Sequence, residues 1–503
     1  MKKIILILCV ILLLGGCVDG ATKIGLDRLN WSQSLPSGEG VKFSGTAPTI
    51  TINKLYSDAG ILKFNGSEII FDNADLDKLN WSQSIDGIKF SGIAPAVITD
   101  KLYSDSGKLM FGAHPASTST HDVIIKSVSG SGVFAYSQSG ELLASNTTAP
   151  YDVGRVYNDA IAAFINGDDC KISIGFDASE SNGIMYTNST MYLYRYIQLD
   201  GINFPWISTW DDIDVMKLNA TGAENRDVVI RNMEIYKKGT GAYTKRHINL
   251  TSPLHCTIDY VSMDGDYTTY SSSFRGGLLL DNGGESYCWE NRVLNSNMPL
   301  LEIAGCTDNW IENNIFTTRG CYNYTMHLRT NNSIPANNNK IYRCHFVGGT
   351  SYGIFINSTS AEAIWITGCY FEDVGTTTVA GIRVENSITH AIISENYFSG
   401  LDGSGISFKG KYSNIHDNEF VDCNSADMGY DDINLVSCHT SRIYSNSGSN
   451  AVASASKGYL VDDDNYNFIW SNIAKGDGYT SHVSAGANTI TNVSTNYHYV
   501  GAP

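Results

Sequence analysis

One local pattern recurs ten times between residues 230 and 469, and it constrains the fold more than any other feature. An apolar residue, the anchor, is followed five residues later by a second apolar residue, often Phe, and successive anchors are 22 to 31 residues apart. A constant corner joined by loops of variable length is typical of a solenoid whose turns stack on one another. The anchors are Ile230, Ile258, Trp289, Ile311, Ile341, Ile366, Ile393, Ile415, Ile443 and Ile469.

The third position after the anchor is polar in a way that suits stacking. It is Asn in five turns and Cys in two, Cys344 and Cys369. Asn adopts tight-turn conformations and forms hydrogen bonds along a stack, so these side chains predict a ladder. Because stacked side chains need not have disulfide geometry, a buried thiol pair is favoured over a Cys344–Cys369 disulfide. The asparagines are Asn314, Asn396, Asn418, Asn446 and Asn472.

A second pattern follows the first in nearly every turn: an apolar-x-apolar triplet, often after Gly, as at 277–280, 353–356, 381–384 and 405–408. Alternation by two places the outer pair of each triplet inside and the middle residue outside. Two strands in register in each turn of roughly 27 residues predict an all-β fold, a parallel β-helix of about ten or more turns.

Residues from about 151 to 475 therefore resemble the pectate-lyase-like superfamily of right-handed parallel β-helices. The resemblance implies a sugar-binding groove along the strands of the second pattern and their flanking loops. The superfamily holds lyases, hydrolases, epimerases, phage tailspikes and adhesins, so the resemblance predicts the fold better than the activity.

The amino terminus predicts export. Two lysines precede an eleven-residue apolar run, 4–14, which is too short for a membrane span and typical of a signal peptide. The sequence Leu14-Gly-Gly-Cys17 resembles a lipobox, which implies lipidation of Cys17 and an anchor on the extracellular face of the cell envelope. The alternative is a secretory signal that is cleaved nearby and a secreted protein.

Between the signal peptide (1–17) and the β-helix (151–480), the sequence predicts smaller modules. Within 18–122, segment 27–71 is repeated at 77–114; KLYSD at 54–58 returns at 101–105, and this phrase resembles tail-fibre proteins of phages. Residues 123–150 predict a short β segment and a linker, and 155–167 predict an amphipathic helix that caps the β-helix. Residues 481–503 predict a tail or a second cap.

Charge patterning excludes some partners. The chain has a net charge of -17 and no basic cluster, which argues against nucleic acid and anionic membrane surfaces as partners, and leaves the lipid as the only contact with a membrane.

The outward positions of the second pattern form two columns that contain a patch of charged side chains. Asp281 and Glu302 lie on adjacent turns, a separation of roughly 5–7 Å that suits a glycosidase pair, with His327 and Arg329 beside them. The sequence predicts catalytic roles for these four. The alternative is that opposite charges only stabilise the ladder. The predicted substrate-binding residues are Arg383, Glu385, Tyr243, Tyr267 and Tyr270.

A second candidate is an acidic column directly after three consecutive anchors, formed by Asp259, Glu290 and Glu312. Like charges on neighbouring turns either extend into water or are bridged by a cation, and Ca²⁺ is the cation that such oxygen ligands suit.

Three functions are compatible with these features: a carbohydrate-active enzyme, either a lyase or a hydrolase, a non-catalytic adhesin, and a fibre-like structural protein. We interpret the sequence as that of a surface-anchored β-helix protein that engages polysaccharide.

Overall fold

The computed structural model describes short strands between residues 55 and 115 and most of residues 121–499. The chain divides into two compact units, 1–120 with 138–141, and 121–137 with 142–503. The described ranges of the second unit are 121–137, 142–163, 172–218, 225–238, 244–265, 276–283, 288–317, 324–348, 351–372, 380–423, 431–449, 458–462, 466–475, 479, 481–485, 489–491 and 496–499.

The described strands of the first unit repeat as the sequence repeats. The KLYSD segment forms the first strand of an antiparallel hairpin in each copy, at Leu55–Asp58 and at Leu102–Asp105. The other strands are Ile61–Phe64, Ser67–Glu68, Ser82–Ser84, Gly87–Lys89, Lys108–Phe111 and His114–Pro115.

The second unit is a right-handed parallel β-helix, as the sequence predicts, and its strands form three parallel stacks. Stack A holds the anchors, stack B holds their partners five residues later, and stack C holds the apolar-x-apolar triplets. Stack A comprises Ile172–Glu180, Ile197–Ile202, Val229–Lys237, Thr257–Gly265, Arg292–Leu294, Trp310–Glu312, Lys340–Tyr342, Trp365–Thr367, Ile392–Ser394, Asn414–His416, Arg442–Tyr444, Phe468–Trp470 and Ile490–Thr491.

Stack B runs beside it, and the second halves of the two long strands Val229–Lys237 and Thr257–Gly265 belong to it. Its other strands are Ile184–Tyr186, Trp206–Thr209, Asn297–Met298, Ile315–Thr317, His345–Val347, Tyr370–Glu372, Tyr397–Ser399, Glu419–Val421, Ser447–Ser449, Ile473–Lys475 and Tyr497–Tyr499. Stack C comprises Met191–Leu193, Met216–Leu218, Ile248–Thr251, Leu278–Asp281, Leu301–Ala304, Tyr324–Arg329, Tyr352–Asn357, Ala380–Val384, Ser404–Phe408, Ile433–Leu435, Gly458–Asp462 and Ser481–Ser484. Two short pairs lie at corners: Asn225–Arg226 with Pro253–Leu254, and Ile388–Thr389 with Gly410–Lys411.

The amino-terminal end of the β-helix is built from antiparallel strands and one helix. Val123–Val128 pairs in parallel with Ile172–Glu180, and Gly132–Ser137 and Leu142–Asn146 extend that sheet. These three strands therefore belong to the same unit as the β-helix.

The helix spans Val153–Ala162 and begins at Asp152, whose carboxylate accepts from the backbone N–H of Gly154 and Arg155. It contacts the first strand of stack C directly. The Asn158 amide donates to Thr190 O at 2.8 Å, and Asn158 Oδ1 accepts from the N–H of Tyr192 at 3.0 Å. These bonds occupy backbone groups that an outermost strand otherwise leaves unpaired. No helix within the described ranges has the length and apolarity needed to cross a bilayer.

One anchor assignment is wrong. Val293, and not Trp289, aligns with Ile258 and Ile311 in stack A, and Met298 aligns with Phe316 in stack B. The turn from Asn291 to Asn309 is only 18 residues long. The Cys288–Cys306 disulfide also joins these two neighbouring turns.

The interior is filled by side chains that repeat turn after turn. The partner Phe rings stack with centroids 4.7–4.9 Å apart, from Phe316 through Phe346, Phe371 and Phe398 to Phe420. The predicted asparagine ladder is confirmed, with amide-to-amide bonds of 2.9 Å from Asn396 through Asn418 and Asn446 to Asn472.

The predicted pair of buried thiols is confirmed too, because Cys344 and Cys369 are both buried and neither forms a disulfide. Cys170 and Cys321 lie outside the described residues. The final strands, within 481–499, add a further turn to all three stacks.

Candidate functional site

The outer side of stack C presents the column of middle residues that the triplet pattern predicts. Each member aligns with the next across the parallel ladder, so the predicted register is confirmed over eight turns. We call this the outer column: Asn249, Leu279, Glu302, His327, Phe355, Arg383, Ser407 and Asn434.

Glu302 is the electrostatic centre of the outer column. Its carboxylate pairs with Arg246 and accepts from Arg329 Nε at 2.5 Å, and the glutamate is only 7% exposed. Burial alone would raise the pKa of Glu302, but the two guanidinium groups, Arg246 first, outweigh burial and lower it below 4.5. Glu302 is therefore a carboxylate at neutral pH, and two arginines balance its negative charge.

The segment that carries Arg246 is held in place by several polar contacts. Asp214 accepts from the N–H of Arg246 at 2.7 Å and from the Asn249 amide at 3.0 Å. The fully buried Lys237 donates from Nζ to the carbonyls of Ile213 and Lys245, at 2.8 and 2.9 Å. Burial lowers the pKa of Lys237 to about 8. These contacts fix the arginine against Glu302.

His327 follows Glu302 in the outer column, and its ring lies among aromatic side chains. Its centroid is 4.4 Å from the ring of Tyr324 and 5.2 Å from that of Phe355, which stacks on Tyr352 at 5.0 Å. We call His327, Tyr324, Phe355 and Tyr352 the aromatic cluster.

The imidazole of His327 is buried, and it is neutral at pH 7. It is 8% exposed, and neither ring nitrogen has a hydrogen-bond partner among the described residues. Burial lowers the pKa of His327 to about 4, against the opposing effect of Glu302. The ring thus keeps one donor and one acceptor unused.

Asp281 does not join Glu302 as an isolated carboxyl pair. In the ladder it aligns with Ala304, whereas Glu302 aligns with Leu279. Asp281 Oδ1 accepts from the N–H of Gly283 at 2.9 Å and from the Asn331 amide at 2.6 Å. The two carboxylates are therefore held by different partners.

The remaining predicted residues divide into two groups. Arg383 lies beyond Phe355 in the outer column, and Glu385 is exposed directly after the strand ends at Val384. Tyr243, Tyr267 and Tyr270 lie outside the described residues. The predicted charged patch is consequently split by the aromatic cluster into a Glu302 side and an Arg383 side.

Sequence reasoning did not assign Tyr324 and Tyr352 to the site, and it placed Arg246 in a flanking loop without indicating its contact with Glu302. The two tyrosines precede the middle residues of their triplets by three positions, which is a signal that the second pattern carries. Arg246 is 56 residues from Glu302 and reaches it from a different turn, so no local spacing indicates the contact.

The predicted acidic column after the anchors is wrong, because it depended on Trp289 as an anchor. Leu294, not Glu290, lies between Asp259 and Glu312 in the ladder. Glu290 instead contacts His255 Nε2 at 3.0 Å. Within the described ranges, no group of three or more His, Cys, Asp or Glu side chains is arranged to hold a metal ion.

Neither a protein-family model nor a curated protein matches the sequence. Among solved structures, the chain is similar to the A-module of the mannuronan C-5 epimerase AlgE6 of Azotobacter vinelandii, with 12% identity over 70% of this chain and 94% of that one, at a TM-score of 0.47. It is also similar to the Dettilon tailspike protein, with 10% identity over 76% and 69% of the two chains, at 0.41. The tailspike of E. coli bacteriophage HK620, solved with a pentasaccharide, has 13% identity over 73% and 65%, at 0.41. At these identities the likeness concerns the fold.

Proposed function

We propose that this protein binds polysaccharide along the outer column of stack C. The observation that carries the proposal is the aromatic cluster around His327, a buried imidazole with both nitrogens unpaired. Leaving a buried polar group without a hydrogen bond costs about 1–3 kcal/mol. We infer that this cost is offset when a bound ligand forms hydrogen bonds with the imidazole.

The chemistry of the site suits sugars. A pyranose ring offers hydroxyl groups to polar side chains and a face of C–H groups to aromatic rings. The outer column supplies both: unpaired atoms on Asn249, His327, Arg383 and Asn434, and half-buried rings in the aromatic cluster. Because these atoms follow one another along the stack, a long chain that lies along the helix axis fits better than a single sugar.

The electrostatics favour binding over hydrolysis. A glycosidase needs one carboxyl group that is protonated near neutral pH, and such a group has a raised pKa. The pKa of Glu302 is lowered instead, and both of its oxygens are engaged by arginines. We therefore assign Glu302 to the support of the site rather than to proton donation.

Polysaccharide retention with a turnover control tests this function. The mature chain is run through gels that contain each of a panel of polysaccharides, while reducing ends and the absorbance of unsaturated uronates are followed in solution. We expect retention by at least one polymer without turnover, and Phe355→Ala should weaken retention about fivefold to tenfold. Tyr412→Ala, an exposed ring on another face, is the matched control. Retention by no polymer, or equal retention of Phe355→Ala and the wild type, would overturn the proposal, and turnover would overturn its non-catalytic part.

The lipid anchor is the second part of this proposal. The lipobox-like sequence before Cys17 supports a protein displayed on the extracellular face of the cell envelope. Labelling of growing cells with radioactive palmitate should mark the wild-type chain and leave Cys17→Ser unmarked. Equal labelling of the two chains, or none of either, would contradict the anchor.

A further inference from the structure

The arginines on the outer side of stack C are not equivalent. Arg246 and Arg329 both pair with the carboxylate of Glu302. Arg383, two positions beyond His327 in the outer column, forms no ion pair with any described residue. A half-buried guanidinium is costly to leave without a counter-charge, because it has lost part of its hydration.

The geometry of Arg383 shows which part of it is available. Nη1 donates to Ser407 Oγ at 2.7 Å, which leaves the edge formed by Nε and Nη2. Nε is buried and has no hydrogen-bond partner among the described residues. Elsewhere in this chain the same edge is filled: Arg231 donates from Nε and Nη2 to Asp200 at 3.1 and 2.9 Å.

The neighbours of Arg383 hold it in position. Phe355 precedes it and Ser407 follows it in the outer column, on turns spaced by about 4.8 Å. The phenyl ring limits movement on one side, and the hydroxyl group orients the guanidinium from the other. The Nε–Nη2 edge is thus held next to the aromatic cluster, without a hydrogen-bond partner among the described residues.

We propose that Arg383 is the residue that binds the acid group of the glycan, and that the ligand is an acidic polysaccharide carrying carboxylates. This inference rests on the proposed function and names its substrate class. A carboxylate matches the Nε–Nη2 edge with two parallel hydrogen bonds. Arg329, the arginine on the other side of the aromatic cluster, already uses its Nε on Glu302.

The test compares acidic polymers with their carboxyl-reduced forms. Polygalacturonate, polymannuronate and hyaluronan are each measured beside the reduced polymer by affinity electrophoresis and by calorimetry. We expect the wild type to prefer an acidic form. Arg383→Gln should lose about tenfold to hundredfold in affinity for it and retain its affinity for the reduced form. Arg383→Lys should lie between the two, since an ammonium group keeps the charge and loses the two-pronged geometry.

Arg442→Gln, an exposed arginine on stack A, is the matched control and should behave as the wild type. Thermal unfolding of each variant shows whether it is folded. If only neutral polymers are retained, or if Arg383→Gln keeps the preference for acid, the role of Arg383 is overturned while polysaccharide binding stands. If no polymer is retained by the wild type, both proposals fail.

Discussion

Asparagine lies on both sides of the β-helix wall, and the two groups are bonded to different extents. Inside, the Asn418 amide donates to Asn446 Oδ1 at 2.9 Å and to two backbone carbonyls, and its oxygen accepts from Asn396. Outside, the Oδ1 atoms of Asn249 and Asn434 have no hydrogen-bond partner among the described residues. The same side chain thus pairs both its amide and its oxygen in one column and leaves its oxygen unpaired in the other.

This difference in hydrogen bonding indicates that the inner asparagines contribute to stability and that the outer ones are available for binding. The inner ladder satisfies backbone and side-chain groups that water cannot reach, so each member stabilises the stack. The outer column keeps polar atoms unpaired at His327, Arg383 and the two asparagines. These unpaired side chains are therefore expected to be dispensable for folding and required for binding.

The largest effect should come from removing a member of the inner ladder. Asn418→Ala deletes five side-chain hydrogen bonds and leaves buried groups unpaired, so we expect the free energy of unfolding to fall by about 3–5 kcal/mol. Asn434→Ala, on the outer column, should cost less than about 1 kcal/mol. Denaturant unfolding of the two variants compares them directly, and equal losses would contradict the distinction.

Glu302→Gln should have the next largest effect, because it leaves Arg246 and Arg329 without a counter-charge. Breaking a buried pair costs about 3 kcal/mol, somewhat less here because Arg329 is 31% exposed. Since the folded-state pKa of Glu302 is lowered, this stabilisation is present above pH 4.5 and is lost as the pH falls through the lowered pKa. The exposed Glu385→Gln is the control. A Glu302→Gln variant as stable as Glu385→Gln at pH 7 would show that the pair is not structural.

His327 should have no such effect at pH 7, and its effect on stability should appear only in acid. In the unfolded chain His327 takes up a proton below about pH 6.5, whereas in the folded protein it takes one up only near pH 4. Stability should therefore fall by at most about 1.4 kcal/mol per pH unit over that window. His327→Phe lacks this contribution, while His247, whose pKa burial also lowers, to about 3, acts alike in both proteins. Parallel unfolding curves of the two proteins between pH 7 and pH 4 would contradict the assignment.

The sequence predicted the repetitive part of this molecule well, because the same two patterns of apolar residues recur in nearly every turn. The order of the outer column from Asn249 to Asn434 and the thiol pair of Cys344 and Cys369 both follow from spacing. The pattern assigned an anchor to Trp289 because this residue is apolar and has Leu294 five residues later. The true anchor, Val293, belongs to a short turn that a disulfide closes.

The site itself could be predicted only in part. Spacing placed Glu302, His327 and Arg329 together, but it did not indicate that Arg246 comes from a preceding turn to share the carboxylate. Contacts between loops of variable length depend on packing and not on register. That one contact changes the expected role of Glu302 from catalytic carboxyl group to charge partner.

The central claim is that the unpaired side chains of the outer column serve binding and not folding, and His327→Phe tests it most directly. The phenyl ring preserves the aromatic cluster and removes the two unpaired nitrogens. At pH 7, affinity for the retained polysaccharide should fall at least about tenfold, and the free energy of unfolding should stay equal to that of the wild type or rise. Unchanged affinity, or a loss of affinity matched by a loss of stability, would contradict the claim.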